Sequence, residues 1–146
     1  MSTAITADRD RVWRALTTPS ELIRWDEQIV ALLDPAPDYP NPGQSVRWRY
    51  RIGSIEIDVH QTIREIQPRE RLQSAISFGL FHFDETYTLL SEDSAPDRTR
   101  LRLSVVSSNS VPVVGGLMDR FTVRRLSATL VDSRMRSVQK WCENPG

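Results

Sequence analysis

The sequence predicts an α+β fold: a curved antiparallel β-sheet wrapped around one long C-terminal α-helix, with two short helices after the first strand. Three observations carry this expectation. Alternating apolar and polar residues flank two glycine-led turns, Gly53-Ser54 and Gly79-Leu80, and a period of two marks half-buried strands joined in hairpins. Near the end of the chain, Leu117, Phe121, Ala128, Val131, Met135, Val138 and Cys142 recur at helical spacing. Two short segments with helix-start signals precede the first hairpin. One apolar sheet face and one apolar helix stripe must then bury each other.

Taken in chain order, Asp8 is placed to cap a short helix over DRDRVWRAL, in which Val12, Trp13 and Leu16 share a face. Thr18 and Pro19 restart a helix in TTPSELIRW. IVALL reads as a strand, and the four prolines and closing Gly43 of DPAPDYPNPG make a stiff loop. SVRWRYRI and IEIDVHQTIREI then form a hairpin whose register is counted outward from Gly53-Ser54. Ile52 meets Ile55, Tyr50 meets Ile57 and Trp48 meets Val59 on one face, while Arg51 meets Glu56 and Arg49 meets Asp58 on the other.

The same count around Gly79-Leu80 sets Phe78 opposite Phe81, Ile76 opposite Phe83, Ser74 opposite Glu85 and Leu72 opposite Tyr87. Glu85 therefore shares the apolar face. SEDSAPDR reads as a loop, and TRLRLSVV as a last strand with Leu101, Leu103 and Val105 on one side and Arg100 and Arg102 on the other. The long helix follows from about Leu117 to Cys142, and Arg124 interrupts its apolar stripe.

Composition bounds the function. A chain of 146 residues has the size of one domain, 1–146, with a sizeable core. Its 19 basic and 19 acidic residues balance, so neither nucleic acid nor an anionic membrane is expected as a partner. No apolar run reaches the length of a membrane span and MSTAITADRD lacks signal-peptide features, so a cytoplasmic protein is expected. The single Cys142 excludes an internal disulfide and reads as a small apolar residue near a helix end. His60 and His82 fall on outward strand phases about 10 Å apart, too far to share a metal. With no Cys/His cluster, phosphate-cradling glycine loop or evident triad, no metal and no cofactor are expected.

ITADRDRVWRALTTPSELIRW resembles the opening of the START-related helix-grip superfamily of polyketide cyclases/dehydrases, lipid-transfer domains and birch-pollen-allergen-like proteins. The resemblance extends through the Pro-Gly segment, the meander and the final helix. One departure is that few residues precede Ala7, where the family usually has a fuller first strand; either that strand is short or the start codon is placed late. The resemblance implies a cavity between sheet and helix. Because members include carriers, cyclases, co-chaperones and toxins, it implies little about chemistry.

Strand parity supplies the contents of that cavity. Trp48, Tyr50, Gln61, Ser74, Glu85, Tyr87 and Ser107 add polar tips to an apolar wall, a mixture suited to an amphipathic small molecule. A buried carboxylate is normally paired or protonated, and Arg124 on the facing helix is the expected partner of Glu85. The pair serves as structure, as a ligand anchor, or both; the alternative is an exposed Glu85 at the sheet's open end. Three functions remain: binding or carrying a hydrophobic or amphipathic molecule (lipid, isoprenoid or polyketide-like); cyclase or dehydrase chemistry with Glu85 as acid/base, assisted by Tyr87 and Arg124; and a protein-interaction module. The first is ranked highest, and a homodimer is left open. DPAPDYPNPG is read either as a cavity rim with Tyr39 as its aromatic contact or as a rigid connection. VPVVGGLM is read as a lid or as packing beneath the first helices.

Overall fold

The computed structural model describes residues 1–92, 95–107 and 120–144, with side chains from 128 onward in the last stretch. Among the described residues the elements are, in order, β1 (Ser2–Ile5), α1 (Arg9–Thr17), α2 (Pro19–Trp25), β2 (Ile29–Leu32), β3 (Ser45–Ile52), β4 (Ile55–Gln67), β5 (Arg71–Phe78), β6 (Phe81–Glu92), β7 (Ala95–Ser107) and α3 (Arg120–Glu143). The strands make one curved antiparallel sheet in the order β1-β7-β6-β5-β4-β3-β2, the expected architecture. VPVVGGLM lies outside the described residues.

Both hairpin registers stand as counted, from Ile52↔Ile55 to Trp48↔Val59 and from Phe78↔Phe81 to Leu72↔Tyr87. In each turn only the glycine has a left-handed backbone, with φ 64° at Gly53 and 57° at Gly79. A positive first residue followed by a negative second is the signature of a type II′ turn, whose twist matches that of the strands. Farther along β4 the register shifts between Ile63 and Glu65. The extra residue, Arg64, lets Ile63 and Ile66 both face inward, which strict alternation forbids.

SEDSAPDR differs from expectation. Apart from residues 93 and 94, which are outside the described set, it belongs to β6 and β7. The β6–β7 register jumps from Ser91↔Thr99 to Glu92↔Ala95, so Pro96 sits where the ladder is interrupted and its missing N–H costs no hydrogen bond. Turn-forming residues were thus absorbed into a bulged strand end.

Helices of 9 and 7 residues are too short to persist alone, and caps and packing hold α1 and α2. Asp8 Oδ1 accepts from the Arg11 N–H at 2.8 Å, and Trp25 Nε1 donates to the Ala15 carbonyl at 2.8 Å. Val12, Ala15, Leu16, Leu22 and Trp25 are buried. Glu21 then clips the pair to α3: its carboxylate accepts from Arg11 Nη1 at 2.5 Å, Arg14 Nε at 3.1 Å and Trp141 Nε1 at 2.8 Å. Two further bonds tie α3 to the first strand region, from Gln139 Nε2 to the Ala4 carbonyl and from the Thr6 N–H to Glu143 Oε1.

On α3 the buried stripe is Met135, Val138 and Cys142, with Val131 half-buried and Ala128 exposed. The side chains of Leu117 and Phe121 lie outside the described residues. Burial pushes the Cys142 thiol up to about 11, so at neutral pH it is a protonated packing group.

Two outcomes follow from this architecture. A Cβ at Gly53 would meet nothing within 4 Å, so Gly53→Ala should lose about 1 kcal/mol through backbone strain alone. Ser54→Ala should be neutral in the same denaturant unfolding assay, and equal midpoints for both would contradict the turn assignment. Glu21 behaves differently with pH. Burial opposes its ionisation, but the Trp141 and Arg11 hydrogen bonds and the Arg11 and Arg14 charges outweigh it, so its folded pKa falls below 4.5. A lowered carboxylate pKa contributes stability above the unfolded value that is lost as pH falls through the folded one. Glu21→Gln should therefore cost about 1–3 kcal/mol at neutral pH, with the difference from wild type shrinking below about pH 4.5.

Candidate ligand-binding site

The concave sheet face and α3 border a partly open cavity of about 170 Å³, far beyond the roughly 10–15 Å³ that one water needs. Its sheet wall includes Val59, Leu72, Ile76, Phe83 and Leu103, the α2–β2 region adds Leu22 and Ile29, and α3 adds Leu130, Val131 and Arg134. The inward strand phases supply this wall because antiparallel strands with one buried face send every second side chain to the same side.

Two groups of polar atoms break the apolar lining. In the first, Gln61 Oε1 accepts from Trp48 Nε1 at 2.8 Å and from the Tyr39 hydroxyl at 3.0 Å, while its Nε2 donates to Ser74 Oγ at 2.9 Å. The Tyr39 and Trp48 rings meet edge to face, 5.8 Å apart. Loop DPAPDYPNPG thus sends Tyr39 into the cavity wall and is anchored there. Each of these polar side chains has a partner within the group, which makes it a rigid part of the wall.

The second group gathers around Arg134. Its Nη1 lies 3.7 Å from Asp26 Oδ2 and 3.8 Å from Glu85 Oε2, and donates to the Tyr50 hydroxyl at 3.4 Å. The guanidinium sits over the Trp25 and Tyr87 rings, 5.6 Å from each centroid, a cation–π arrangement that helps an enclosed charge. Both ion-pair distances exceed hydrogen-bond length. Asp26 Oδ2, the Tyr87 hydroxyl and Arg134 Nε are buried without a hydrogen-bond partner among the described residues.

Burial works against the charge on Arg134, yet Tyr87, Tyr50, Glu85 and Asp26 hold its pKa well above the ordinary arginine value. Burial also raises Tyr50, to about 12, and Tyr87 well above the ordinary phenol value, against the pull of Arg134. Both phenols are neutral hydrogen-bonding groups at neutral pH, and the cluster offers donors and acceptors side by side.

Of the residues expected at the site, Trp48, Tyr50, Gln61, Glu85 and Tyr87 line the cavity. Ser74 is buried behind Gln61 rather than on the surface of the cavity. Ser107 keeps the inward phase, opposite Phe83, but stands exposed at the end of β7, because alternation sets a side and not a cover. The side chain of Arg124 lies outside the described residues. The cation seen beside Glu85 is Arg134, which the sequence reading passed over although it stands three residues after Val131 and four before Val138, on the same stripe. Asp26, directly after the helix-ending Trp25, carried no periodic signal. His60 and His82 are exposed, and among the described residues no three His, Cys, Asp or Glu side chains gather as a metal site would require.

Known proteins share the family and the fold. A family model described as polyketide cyclase / dehydrase and lipid transport matches residues 1–141. A START superfamily protein from Mycobacterium smegmatis has a similar fold, with a TM-score of 0.76 at 12% identity over 98% of this chain and 94% of that one. Protein CV1439 from Chromobacterium violaceum gives 0.74 at 15% identity over 99% and 97%. Ara h 8.0201 gives 0.70 at 10% identity over 97% and 94%. A comparison with curated protein sequences finds no match.

The Arg134 cluster predicts an asymmetry in stability. Arg134→Met leaves two carboxylates without their cation and should cost about 3–5 kcal/mol, whereas Glu85→Gln leaves Arg134 paired with Asp26 and should cost about 1 kcal/mol or less. Denaturant unfolding of the two variants checks this; an Arg134→Met protein as stable as Glu85→Gln would contradict it.

Proposed function

Because the chain belongs to the polyketide cyclase / dehydrase and lipid transport family, we propose that it binds or carries a hydrophobic or amphipathic small molecule in the cavity between the sheet and α3. The ligand class is lipid, isoprenoid or polyketide-like. The observation that carries this reading is the pairing of an apolar wall with a polar cluster, around Arg134, in which Asp26 Oδ2, the Tyr87 hydroxyl and Arg134 Nε have no hydrogen-bond partner among the described residues. Apolar walls supply area and a few fixed polar groups supply orientation, the usual division in small-molecule sites. Among the described residues no helix is long and apolar enough to cross a membrane, so the reading needs no membrane-embedded site.

Catalysis is the second reading, favoured by the position of Glu85 on the cavity wall beside a cation and two phenols. It further requires a substrate proton within hydrogen-bond reach of the Glu85 carboxylate.

The binding reading is tested with N-phenylnaphthylamine, a neutral probe that brightens in apolar surroundings. Wild type should enhance its emission, and Val105→Trp, which fills the cavity from a half-buried wall position, should weaken binding by about tenfold or more while remaining folded. Equal binding by the two would place the probe elsewhere and overturn the assignment. Compounds that co-purify with the protein are expected to be recovered unaltered after incubation; chemical change dependent on Glu85 would favour the catalytic reading.

A further inference from the structure

Resting on the cavity reading above, we infer that the polar end of the ligand is a neutral hydroxyl group and that the site discriminates against anionic amphiphiles. Among the described residues, two carboxylates, Asp26 and Glu85, face one guanidinium, which leaves the described cluster with one formal negative charge. Among the described residues lining the cavity, Arg134 is the only cationic one. Enclosure by Trp25, Tyr50 and Tyr87 keeps that charge from being screened by salt as a surface charge would be. A fatty-acid carboxylate entering this space would gain Arg134 but meet Glu85 on the same wall.

The hydrogen-bonding pattern points the same way. Arg134 Nη1 lies beyond hydrogen-bond length from the nearest oxygen of each carboxylate, so neither Glu85 Oε2 on the cavity wall nor Asp26 Oδ2 behind it accepts a hydrogen bond from that nitrogen, and Asp26 Oδ2 has no donor among the described residues. Arg134 Nε and the Tyr87 hydroxyl retain capacity to donate. The Tyr87 residue is 2% exposed and Asp26 4%, so water from the bulk does not bathe them, and buried polar groups of this kind normally find partners. A hydroxyl both donates and accepts. A carboxylate only accepts, and an ammonium only donates while facing Arg134. The complementary chemical class is therefore a phenol or alcohol on an apolar body.

The test uses three molecules with the same ring system: naphthol, the naphthoate of the same substitution, and naphthalene. Each is measured by equilibrium dialysis against the full chain at neutral pH. Naphthol should bind at least about tenfold more tightly than naphthoate and more tightly than naphthalene. In Glu85→Gln, which makes the cluster formally neutral, the disadvantage of naphthoate relative to naphthol should shrink by about tenfold. Naphthoate binding as well as naphthol, naphthalene binding as well as naphthol, or an unchanged ratio in Glu85→Gln would each overturn this inference while leaving the cavity reading intact. Failure of all three molecules to bind would overturn both.

Discussion

Where α3 crosses the concave sheet face it presents a guanidinium rather than an apolar side chain, and a charge in that position must be paired to be tolerated. Arg134 is paired from two elements at once, by Asp26 just after α2 at 3.7 Å and by Glu85 on β6 at 3.8 Å. Tyr50 on β3 accepts its hydrogen bond, and Trp25 and Tyr87 hold its faces. The separation of helix and sheet is thereby coupled to one side chain. The carboxylate that interrupts the otherwise apolar face of β6 has its explanation in the cation above it.

The cavity wall divides into a closed and an open part. Gln61, Trp48, Tyr39 and Ser74 hydrogen-bond one another and fix β3, β4 and β5 to the proline-rich loop. The bulge at Arg64 then keeps Ile63 and Ile66 in the same wall. Around Arg134, three buried polar atoms lack hydrogen-bond partners among the described residues. A rigid wall next to unsatisfied polar groups is the arrangement that lets a site orient a ligand without first reorganising itself. At the far end, the Glu21 contacts to Arg11, Arg14 and Trp141 hold the C-terminal part of α3 against the first two helices.

Much of this was legible because alternation and turn chemistry are local. Gly53 and Gly79 mark the turns, the residues on either side agree on a register, and Glu85 follows as inward without any knowledge of the tertiary structure. What was not legible depends on how far elements reach over one another. Arg124 and Arg134 both fall near the apolar stripe of one long helix, and periodicity alone does not tell which part of that helix covers the sheet. Ser107 shares the inward parity of Val105 and Leu103 but stands exposed at the strand's end. Pro96 and its neighbours carry loop chemistry, yet β6 pairs onward to Ala95 because a bulge removes the need for a regular ladder. Asp26 acquires its role solely from the helix that packs against it.

The most direct test of the central claim, that an amphipathic molecule lies in the sheet–helix cavity with its polar end at Arg134, is a set of intermolecular nuclear Overhauser contacts with bound naphthol. The account predicts contacts from the ring to Leu103 and Val59, and from the ring edge bearing the hydroxyl to the aromatic protons of Tyr50 and Tyr87. Contacts confined to the exposed apolar residues Ile55 and Leu80 at the hairpin tips, with none to Tyr50 or Tyr87, would contradict it.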